Sequence, residues 1–248
     1  MLLNNKIAIV TGGSRGIGLA IVKAFLSEGA TVILCGSRKE TADAAVNQII
    51  QEIPSAKVEG IYPNITDFDD VHHAFKAVAE KYGRIDILVN NAGVSDETAF
   101  ADYTAESIGK ILNINVNACI YCAHAVVPYM IEEKNGVIIN TSSVVSISGT
   151  ANGIIYPTSK FALNGFTISL ARELGPKGIR VNAIAPGLTD TDMLRAISPE
   201  YIAALEKSIP LRSLGTAEEV ADAFVFLASD KSRYITGAVL GVDGMFRS

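Results

Sequence analysis

The sequence predicts an α/β fold: a doubly wound, seven-stranded parallel sheet with helices on both faces. Two observations indicate this fold. Short runs rich in valine and isoleucine alternate along the chain with longer stretches of helical periodicity, as in successive βαβ units. The short runs are mostly apolar and do not alternate between apolar and polar residues, which is typical of strands buried on both faces.

The predicted elements follow one another at short intervals. Seven runs are predicted as strands: Lys6–Thr11, Thr31–Cys35, Lys57–Tyr62, Ile85–Asn90, Gly136–Ser142, Ile179–Ala185 and Ala238–Val242. Six segments are predicted as helices: Gly16–Glu28, Thr41–Glu52, Asp67–Tyr82, Thr104–Glu132, Ile154–Leu174 and Ala217–Ser229. Thr216 and Glu219 have the spacing of a capping box, and Gly29 and Gly83 are placed to cap the C-terminal ends of helices.

Length and composition fit one globular domain. The 248 residues are 49% hydrophobic and 19% charged, and the predicted elements leave no stretch for a second unit. A single domain over residues 1–248 is therefore expected. The only long irregular segment, Pro186–Leu214, is interpreted as a lid on the substrate side of the sheet.

Charge and cysteine content restrict the partners and the compartment. The net charge of −5 argues against a general nucleic-acid-binding protein. Three cysteines do not make a disulfide framework, and no signal-peptide pattern opens the sequence, so a cytoplasmic protein is expected. Cys119 and Cys122 form a C-x-x-C inside a predicted helix, where buried or interface thiols are a better interpretation than a redox pair. The apolar stretch Ile111–Ile131 is broken by polar residues and Pro128, which favours a packed helix over a membrane span.

A glycine-rich turn joins the first predicted strand to the first predicted helix, and it reads TGGSRGIG over residues 11–18. Glycines at such a turn let backbone N–H groups approach a pyrophosphate at the N-terminus of the helix. The turn therefore predicts a dinucleotide site. Its predicted contacts are Gly12, Ser14, Arg15, Gly16, Ile17 and Gly18.

The end of the second predicted strand bears on the choice between the two nicotinamide cofactors. An acidic residue there would bind a ribose 2′-hydroxyl, whereas an arginine would accommodate a 2′-phosphate. Cys35 is followed by Gly-Ser-Arg-Lys and only then by Glu40. The sequence therefore predicts NADP(H) in preference to NAD(H), with Ser37, Arg38 and Arg15 near the phosphate. The alternative is that Arg38 only solvates a loop.

Tyr156 and Lys160 stand four residues apart at the start of a predicted helix, and hence on one face of it. Such a pair often lies on a solvated helix edge. It also suits carbonyl reduction, which needs a proton donor for the developing alkoxide. A free phenol, with a pKa of about 10, exchanges protons poorly at neutral pH, and an ammonium beside it favours the phenolate.

Two further polar positions can belong to the same chemistry. Ser142 and Ser143 end the fifth predicted strand, where a hydroxyl can hydrogen-bond the oxygen of a substrate. Asn115 is polar within an apolar helix. It is either a satisfied buried amide or a group that holds a water relaying protons to Lys160.

The glycine-rich turn, the Asn90–Gly93 motif Asn-Asn-Ala-Gly and the order Asn, Ser, Tyr, Lys together resemble the short-chain dehydrogenase/reductase family over essentially the whole chain. The resemblance implies a Rossmann fold, a nicotinamide-dependent oxidoreductase and a catalytic tetrad. The tetrad would be Asn115, Ser143, Tyr156 and Lys160. Ser143 is preferred to Ser142 because the family's serine precedes the tyrosine by about this interval.

The resemblance also implies further contacts with the cofactor. Asn91, Ala92 and Gly93 would lie against it, and Tyr156 and Lys160 would meet its ribose. Many relatives have an aspartate that contacts adenine where this chain has Asn64, followed by Ile65, so that contact is in doubt. The segment lining the nicotinamide would contribute Pro186, Gly187, Thr189 and Thr191.

The implied mechanism is hydride transfer to a carbonyl carbon. Tyr156 would protonate the oxygen, Ser143 would polarise it, and Lys160 would hold ribose hydroxyls and tune the tyrosine. No metal is expected, since the histidines at 72, 73 and 124 form no convincing ligand set.

The substrate is less well specified. The chain resembles bacterial 3-oxoacyl-[acyl-carrier-protein] reductases, and the basic residues Lys134 and Lys177 stand where those enzymes meet an acidic carrier protein. Lysines at helix ends also complement the helix dipole. A hydroxysteroid or other secondary-alcohol (sugar or polyol) dehydrogenase is the main alternative, and a non-catalytic dinucleotide sensor is a remote one. For the main alternative an apolar lid is predicted from Leu188, Met193, Leu194 and Ile197. The resemblance further implies a homotetramer.

Overall fold

The computed structural model describes residues 1–191, 194 and 199–246. Seven strands form one parallel sheet in the order β3-β2-β1-β4-β5-β6-β9, which confirms the predicted fold class. The strands are β1 (Ile7–Thr11), β2 (Thr31–Cys35), β3 (Val58–Ile61), β4 (Ile87–Asn90), β5 (Gly136–Thr141), β6 (Ile179–Pro186) and β9 (Val239–Val242). Two short strands, β7 (Thr189–Asp190) and β8 (Gly215–Thr216), pair with each other outside this sheet.

The strand order changes direction between β1 and β4, which are neighbours in the sheet although β2 and β3 lie between them in the chain. In open α/β sheets, ligands bind outside the carboxyl ends of the strands at such a switch point. The glycine-rich turn follows β1 and the Asn-Asn-Ala-Gly motif ends β4, so both lie at this crevice. The single domain over residues 1–248 remains a prediction. It is favoured by the sheet, which contains strands from both ends of the chain.

Helices cover the sheet on both faces. They are α1 (Gly16–Ser27), α2 (Lys39–Glu52), α3 (Phe68–Tyr82), α4 (Ala105–Leu112), α5 (Ala118–Glu132), α6 (Val145–Ser148), α7 (Ile155–Leu174), α8 (Pro199–Ser208) and α9 (Ala217–Ala228). One core cluster joins α1 and α9 to the sheet through Phe25 and Phe224, and the other joins α3 and α5 through Phe75 and Val126. Each buried phenylalanine stabilises the fold by about 2–3 kcal/mol relative to an exposed one.

The predicted helix ends are largely confirmed. Gly83 ends α3 in the left-handed conformation at φ 77°, and Gly29 follows α1 at φ 87°. Thr216 and Glu219 cap α9 reciprocally: the backbone N–H of Glu219 donates to Thr216 Oγ1 at 3.1 Å, and that of Thr216 donates to a Glu219 carboxylate oxygen at 2.8 Å. These caps satisfy N–H groups that have no partner within the helix.

The predicted helix Thr104–Glu132 is not regular. Between α4 and α5 the residues Asn113–Asn117 form one π-helical turn, in which the N–H of Ala118 donates to the carbonyl of Asn113. By length and composition alone Ala105–Glu132 could cross a membrane, and 44% of its most apolar window is buried. In the structure α4 packs against α7 and α5 against α3.

The segment Pro186–Leu214 was predicted to be irregular, and this prediction was wrong. It contains β7 and the helix α8. The stretch from Pro199 to Ser208 begins with proline and continues with good helix formers, which is a helix signal in its own right. Of the predicted apolar lid, Leu194 is buried, whereas Met193 and Ile197 lie outside the described residues.

Candidate active site

The glycine-rich turn and the end of β4 are held together by hydrogen bonds. The side-chain amide of Asn91 donates to the carbonyls of Thr11 at 3.2 Å and Gly12 at 3.3 Å. Gly12 has φ 64°, and a Cβ there would lie 2.9 Å from the Cα of Ala92. A side chain at Gly12 would therefore separate the two segments, which explains the requirement for glycine.

The N-terminus of α1 fits a pyrophosphate group. Arg15 precedes the helix in an extended conformation and makes no side-chain capping hydrogen bond, and the first turn of the helix contains no acidic residue. The first N–H groups of α1 are thus available to an anion, in the favourable field of the helix dipole. Ser14, Gly16 and Ile17 lie at this end of the helix, as predicted.

Gly18 is packed so tightly that its replacement should have a large effect. A Cβ on Gly18 would lie 2.1 Å from the carbonyl oxygen of Gly12 and 2.6 Å from the side-chain nitrogen of Asn91. We expect Gly18→Ala to displace the turn, to lower the free energy of unfolding by about 3 kcal/mol and to weaken binding of the predicted dinucleotide at least about tenfold.

Gly109→Ala is the matched control, because Gly109 also lies in a helix but has nothing within 4 Å of its would-be Cβ. It should raise the stability by about 0.5–1 kcal/mol through helix propensity and leave NADPH binding unchanged. Thermal unfolding and a fluorescence titration with NADPH measure both quantities. Unchanged NADPH affinity in Gly18→Ala would contradict the proposed position of the pyrophosphate.

Thr11 organises the crevice, a role not assigned to it from the sequence. Its hydroxyl oxygen accepts hydrogen bonds from the backbone N–H groups of Asn91 at 3.0 Å and Ala92 at 3.1 Å, and the hydroxyl donates to the carbonyl of Val89 at 3.3 Å. This single buried side chain fixes the course of the chain as it leaves β4. The only sequence signal for it is the threonine directly before the glycines.

The residues predicted to meet the adenosine half lie at the ends of β2 and β3. Ser37 and Arg38 are exposed, and Arg38 directly precedes α2. Within the ranges that the structure describes, neither Arg38 nor Arg15 takes part in a salt bridge, whereas the neighbouring Lys39 is paired with Asp43. Two guanidinium groups are thus left for an anionic ligand.

Asn64 has a local structural role. Its side-chain oxygen accepts hydrogen bonds from the backbone N–H and the hydroxyl of Thr66. The backbone N–H of Asn64 donates to a carboxylate oxygen of Asp70 at 2.7 Å. Asn64 therefore fixes the backbone just before α3, and Ile65 packs against the core. The contact between Asn64 and adenine remains a prediction.

The segment predicted to line the nicotinamide lies close to the glycine-rich turn. A Cβ on Gly187 would lie 2.6 Å from the Cα of Asp243, so β6 and the turn after β9 are in close contact. The Thr189 hydroxyl donates to the carbonyl of Gly187 at 3.2 Å. Thr191 reaches toward Gly16, with its side chain 3.8 Å from a Cβ built there.

Lys160 is buried, with only 4% of its surface exposed, at the carboxyl ends of the strands. Its ammonium group donates to the carbonyl of Thr141 at 2.7 Å and lies 5.7 Å from the centroid of the Tyr156 ring. A Cβ on Gly93 would lie 3.6 Å from the same nitrogen. The structure thus brings Lys160, Tyr156 and the Asn-Asn-Ala-Gly motif together, as the spacing predicted.

The side chain of Asn115 is fully occupied by protein groups. Its amide nitrogen donates to the carbonyl of Val94 at 2.9 Å and to the Ser159 hydroxyl at 3.0 Å, and its oxygen accepts from the N–H of Val94 at 2.9 Å. Ser159 in turn donates to the carbonyl of Tyr156 at 2.6 Å. The side chain is thus a satisfied buried amide that connects the segment after β4 to α7.

The two adjacent serines have different surroundings. The Ser142 hydroxyl donates to the side-chain oxygen of Asn164 at 2.7 Å, so its proton is committed. The Ser143 oxygen accepts from the N–H of Val145 at 3.4 Å, and among the described residues its hydroxyl donates to none. A free hydroxyl proton is what a substrate carbonyl requires, and this difference supports Ser143 over Ser142.

The cysteines are buried. Burial raises the pKa of Cys119 to about 11 and that of Cys122 well above its ordinary value. Thiolate formation is disfavoured for both, which fits the interpretation as packed thiols and not as a redox pair.

Lys134 and Lys177 lie far from this site. They immediately precede β5 and β6, at the amino ends of those strands, whereas the site lies at the carboxyl ends. Both are exposed, and their loops touch, since a Cβ on Gly178 would lie 2.3 Å from the carbonyl oxygen of Lys134. The two lysines thus lie on neighbouring loops at the amino ends of the strands.

Comparison with known proteins agrees with this arrangement. Residues 12–246 match the family described as enoyl-(acyl carrier protein) reductase. The chain is 52% identical over its whole length to a 3α-hydroxysteroid dehydrogenase of Mediterraneibacter gnavus, 99% of which is covered. It is 40% identical over 98% of its length to a 3-oxoacyl-[acyl-carrier-protein] reductase of Thermotoga maritima, 98% of which is covered. The structure of levodione reductase matches 98% of this chain and 97% of its own at a TM-score of 0.93 and 30% identity. The chain therefore belongs to the short-chain dehydrogenase/reductase family of oxidoreductases, which act on CH–OH and C=O groups with a nicotinamide dinucleotide.

Proposed function

We propose that this chain interconverts the ketone and secondary alcohol of a hydroxysteroid or a similarly apolar substrate. The identity of the whole chain with a hydroxysteroid dehydrogenase carries the proposal. Val144 is buried together with Ile209 and Phe246, and the partly exposed Leu188 and Leu214 pack against them. An apolar ring system would gain free energy by covering these two leucines, at about 25 cal/mol per Å² of apolar surface. The identity of 52% with a 3α-hydroxysteroid dehydrogenase supports the same substrate class.

The roles of the side chains follow from their contacts. In the proposed mechanism Tyr156 exchanges a proton with the substrate oxygen while Ser143 donates a hydrogen bond to it. The buried ammonium of Lys160 lies beside the Tyr156 ring and has N–H groups left for ribose hydroxyls after its bond to Thr141. Asn115 holds the segment after β4 against α7. When bound, the nicotinamide supplies or accepts the hydride.

We propose NADP(H) as the preferred cofactor, because Arg15 and Arg38 are exposed beside the crevice without salt-bridge partners in the described ranges. Arg38→Gln should lower kcat/KM for NADPH about tenfold to a hundredfold, since a hydrogen bond to a charged phosphate is lost. The value for NADH should stay unchanged. Lys39→Gln is the control, because Lys39 is already paired with Asp43. Equal losses with both cofactors in Arg38→Gln would contradict the preference.

A 3-oxoacyl thioester is the second candidate substrate, supported by the reductase relative at 40% identity and by the basic pair Lys134 and Lys177. The two lysines lie at the amino ends of the strands, whereas the site lies at the carboxyl ends. An acyl carrier protein bound to these lysines is therefore not beside the site of the same chain. The geometry of the single chain therefore favours the steroid class. The sensor alternative has less support, because the side chains needed for catalysis are assembled.

The deciding experiment follows NADPH absorbance with a 3-oxosteroid, a 3-oxoacyl thioester on carrier protein and a ketose. Turnover of the steroid with at least about tenfold higher kcat/KM than the thioester is expected. Preferential turnover of the thioester, lost in the double variant Lys134→Glu, Lys177→Glu, would transfer the proposal to the acyl-carrier class. Binding of NADPH without turnover of any carbonyl would favour the sensor.

We also propose that the chain assembles as a homotetramer in the cytoplasm. Ile120 on α5 and Phe161 and Ile168 on α7 are large apolar side chains with exposures of 37, 49 and 43%. Large exposed apolar side chains suit an interface between copies of the chain. Sedimentation at micromolar concentration measures the assembly, and a monomer there would contradict it.

A further inference from the structure

Behind Ser143 lies a closed set of polar side chains, formed by Ser142, Ser146 and Asn164. Ser142 donates to the Asn164 side-chain oxygen at 2.7 Å, and the Asn164 amide donates to the Ser146 hydroxyl oxygen at 2.9 Å. The Ser146 hydroxyl donates to the backbone carbonyl of Ser143 at 2.6 Å. The three side chains form a relay that ends on the residue proposed to polarise the substrate.

The direction of the relay is fixed by proton count. A serine hydroxyl has one proton, and the carbonyl of Ser143 can only accept, so Ser146 must donate to it. Ser146 then has no proton left for Ser142 or Asn164, and it accepts from the Asn164 amide. The Ser142 hydroxyl oxygen lies 2.7 Å from the Asn164 oxygen and 2.9 Å from the Ser146 oxygen, and the shorter contact assigns its proton to Asn164.

The relay joins the two segments that must be aligned for catalysis. Asn164 lies one helical turn after Lys160 on α7, and the Ser142 hydroxyl oxygen lies 3.4 Å from the Lys160 carbonyl. Ser142 and Ser146 are each 2% exposed. Polar groups buried this deeply are costly to leave unpaired, which makes the arrangement rigid.

We propose that Asn164 is a positioning residue that sets the orientation of Ser143 relative to Tyr156 and Lys160. It acts by keeping the Ser146 hydroxyl proton on the Ser143 carbonyl, where it adds to the backbone bonds from the Ser146 N–H to that carbonyl and from the Val144 N–H to the Pro186 carbonyl, both 2.9 Å. The inference rests on the proposed role of Ser143 in carbonyl reduction. It adds a third position on α7, after Tyr156 and Lys160, on which the alignment of the site depends.

Asn164→Asp tests the relay with little change in shape. The carboxylate still accepts from Ser142, but it also accepts the Ser146 proton and so releases the Ser143 carbonyl. We expect kcat to fall about tenfold to a hundredfold, as for a displacement of a catalytic group by a fraction of an ångström, with an unchanged KM for NADPH. Ser146→Ala removes the same bond from the other side and should give a similar loss.

Thr167→Val is the matched control. Thr167 is fully buried on the same helix and accepts from the Asn140 amide at 2.9 Å, so its replacement also leaves a buried polar group unpaired. It should lower the melting temperature without lowering kcat.

A double-mutant cycle with Ser143→Ala closes the test. If Asn164 acts through Ser143, adding Asn164→Asp to Ser143→Ala causes no further loss of kcat. Losses that multiply overturn the inference and leave the role of Ser143 standing. Full activity in Ser143→Ala removes the proposed role of Ser143, and the positioning inference is overturned with it.

Discussion

Replacing Tyr156 by phenylalanine is expected to lower kcat for carbonyl reduction about a thousandfold, the loss typical of removing a general acid. The ring would keep its place beside Lys160, whose ammonium lies 5.7 Å from the ring centroid, and only the exchangeable proton would be removed. NADPH affinity should change little. Steady-state kinetics with the best ketone substrate, together with a fluorescence titration of NADPH, measure both effects.

Tyr82→Phe is the matched control for this substitution. The Tyr82 hydroxyl donates to a Glu59 carboxylate oxygen at 2.8 Å, on a helix and a strand remote from the carboxyl edge of the central strands. Its loss should cost about 1 kcal/mol of stability and no activity. If wild type and Tyr156→Phe were equally inactive toward every carbonyl while both bound NADPH, the sensor alternative would be favoured.

Lys160→Met is expected to lower kcat/KM about a hundredfold to a thousandfold, because it removes a preorganised charge next to the reacting oxygen. Unlike Tyr156→Phe, it should also raise the KM for NADPH, since Lys160 is proposed to hold ribose hydroxyls. Methionine keeps most of the volume of lysine in this buried position, so the melting temperature should change by only a few degrees. Measuring kcat, KM and thermal unfolding in parallel separates lost chemistry from lost structure.

Lys76→Met controls for removal of a lysine as such. Lys76 is 64% exposed and pairs with Glu80, one turn along α3, so the activity and the stability of the variant should remain close to those of the wild type. A loss of kcat without any rise in the KM for NADPH in Lys160→Met would contradict the proposed contact with ribose and leave the electrostatic role in place.

Much of the fold follows from local patterns in the sequence. Apolar runs predict the parallel strands because burial on both faces leaves no polar alternation, and the boundaries shift by only one or two residues. The π-helical turn at Asn113–Asn117 was not predicted, since a stretch that is apolar on most sides gives no phase signal for an extra residue. The helix α8 was not predicted, although the residues Pro199–Ser208 include good helix formers.

The sequence also predicts a part of the candidate site. The spacing of Tyr156 and Lys160 determines that they share a helix face, so their proximity follows from the sequence. The choice between Ser142 and Ser143 does not, because adjacent hydroxyls differ only in their partners, and the partner of Ser142 is Asn164 on another element. Likewise the sequence places Lys134 and Lys177 near helix ends, but only the sheet topology shows which edge they occupy.

The π-helical turn between α4 and α5 has a consequence for the phase of the helix. One residue in a regular helix corresponds to about 100° of rotation, so a π-helical turn, which holds one extra residue, places each side chain after Asn117 about 100° from where a regular helix of the same sequence would place it. This rotation lets α4 face α7 while α5, a continuation of the same rod, faces α3. Winding the same residues as a regular α-helix would turn Cys119 and Cys122 out of the core, whereas deleting one residue within Asn113–Asn117 would remove the bulge and leave both cysteines facing the core. The irregular turn is therefore what allows a single helical rod to serve two neighbours.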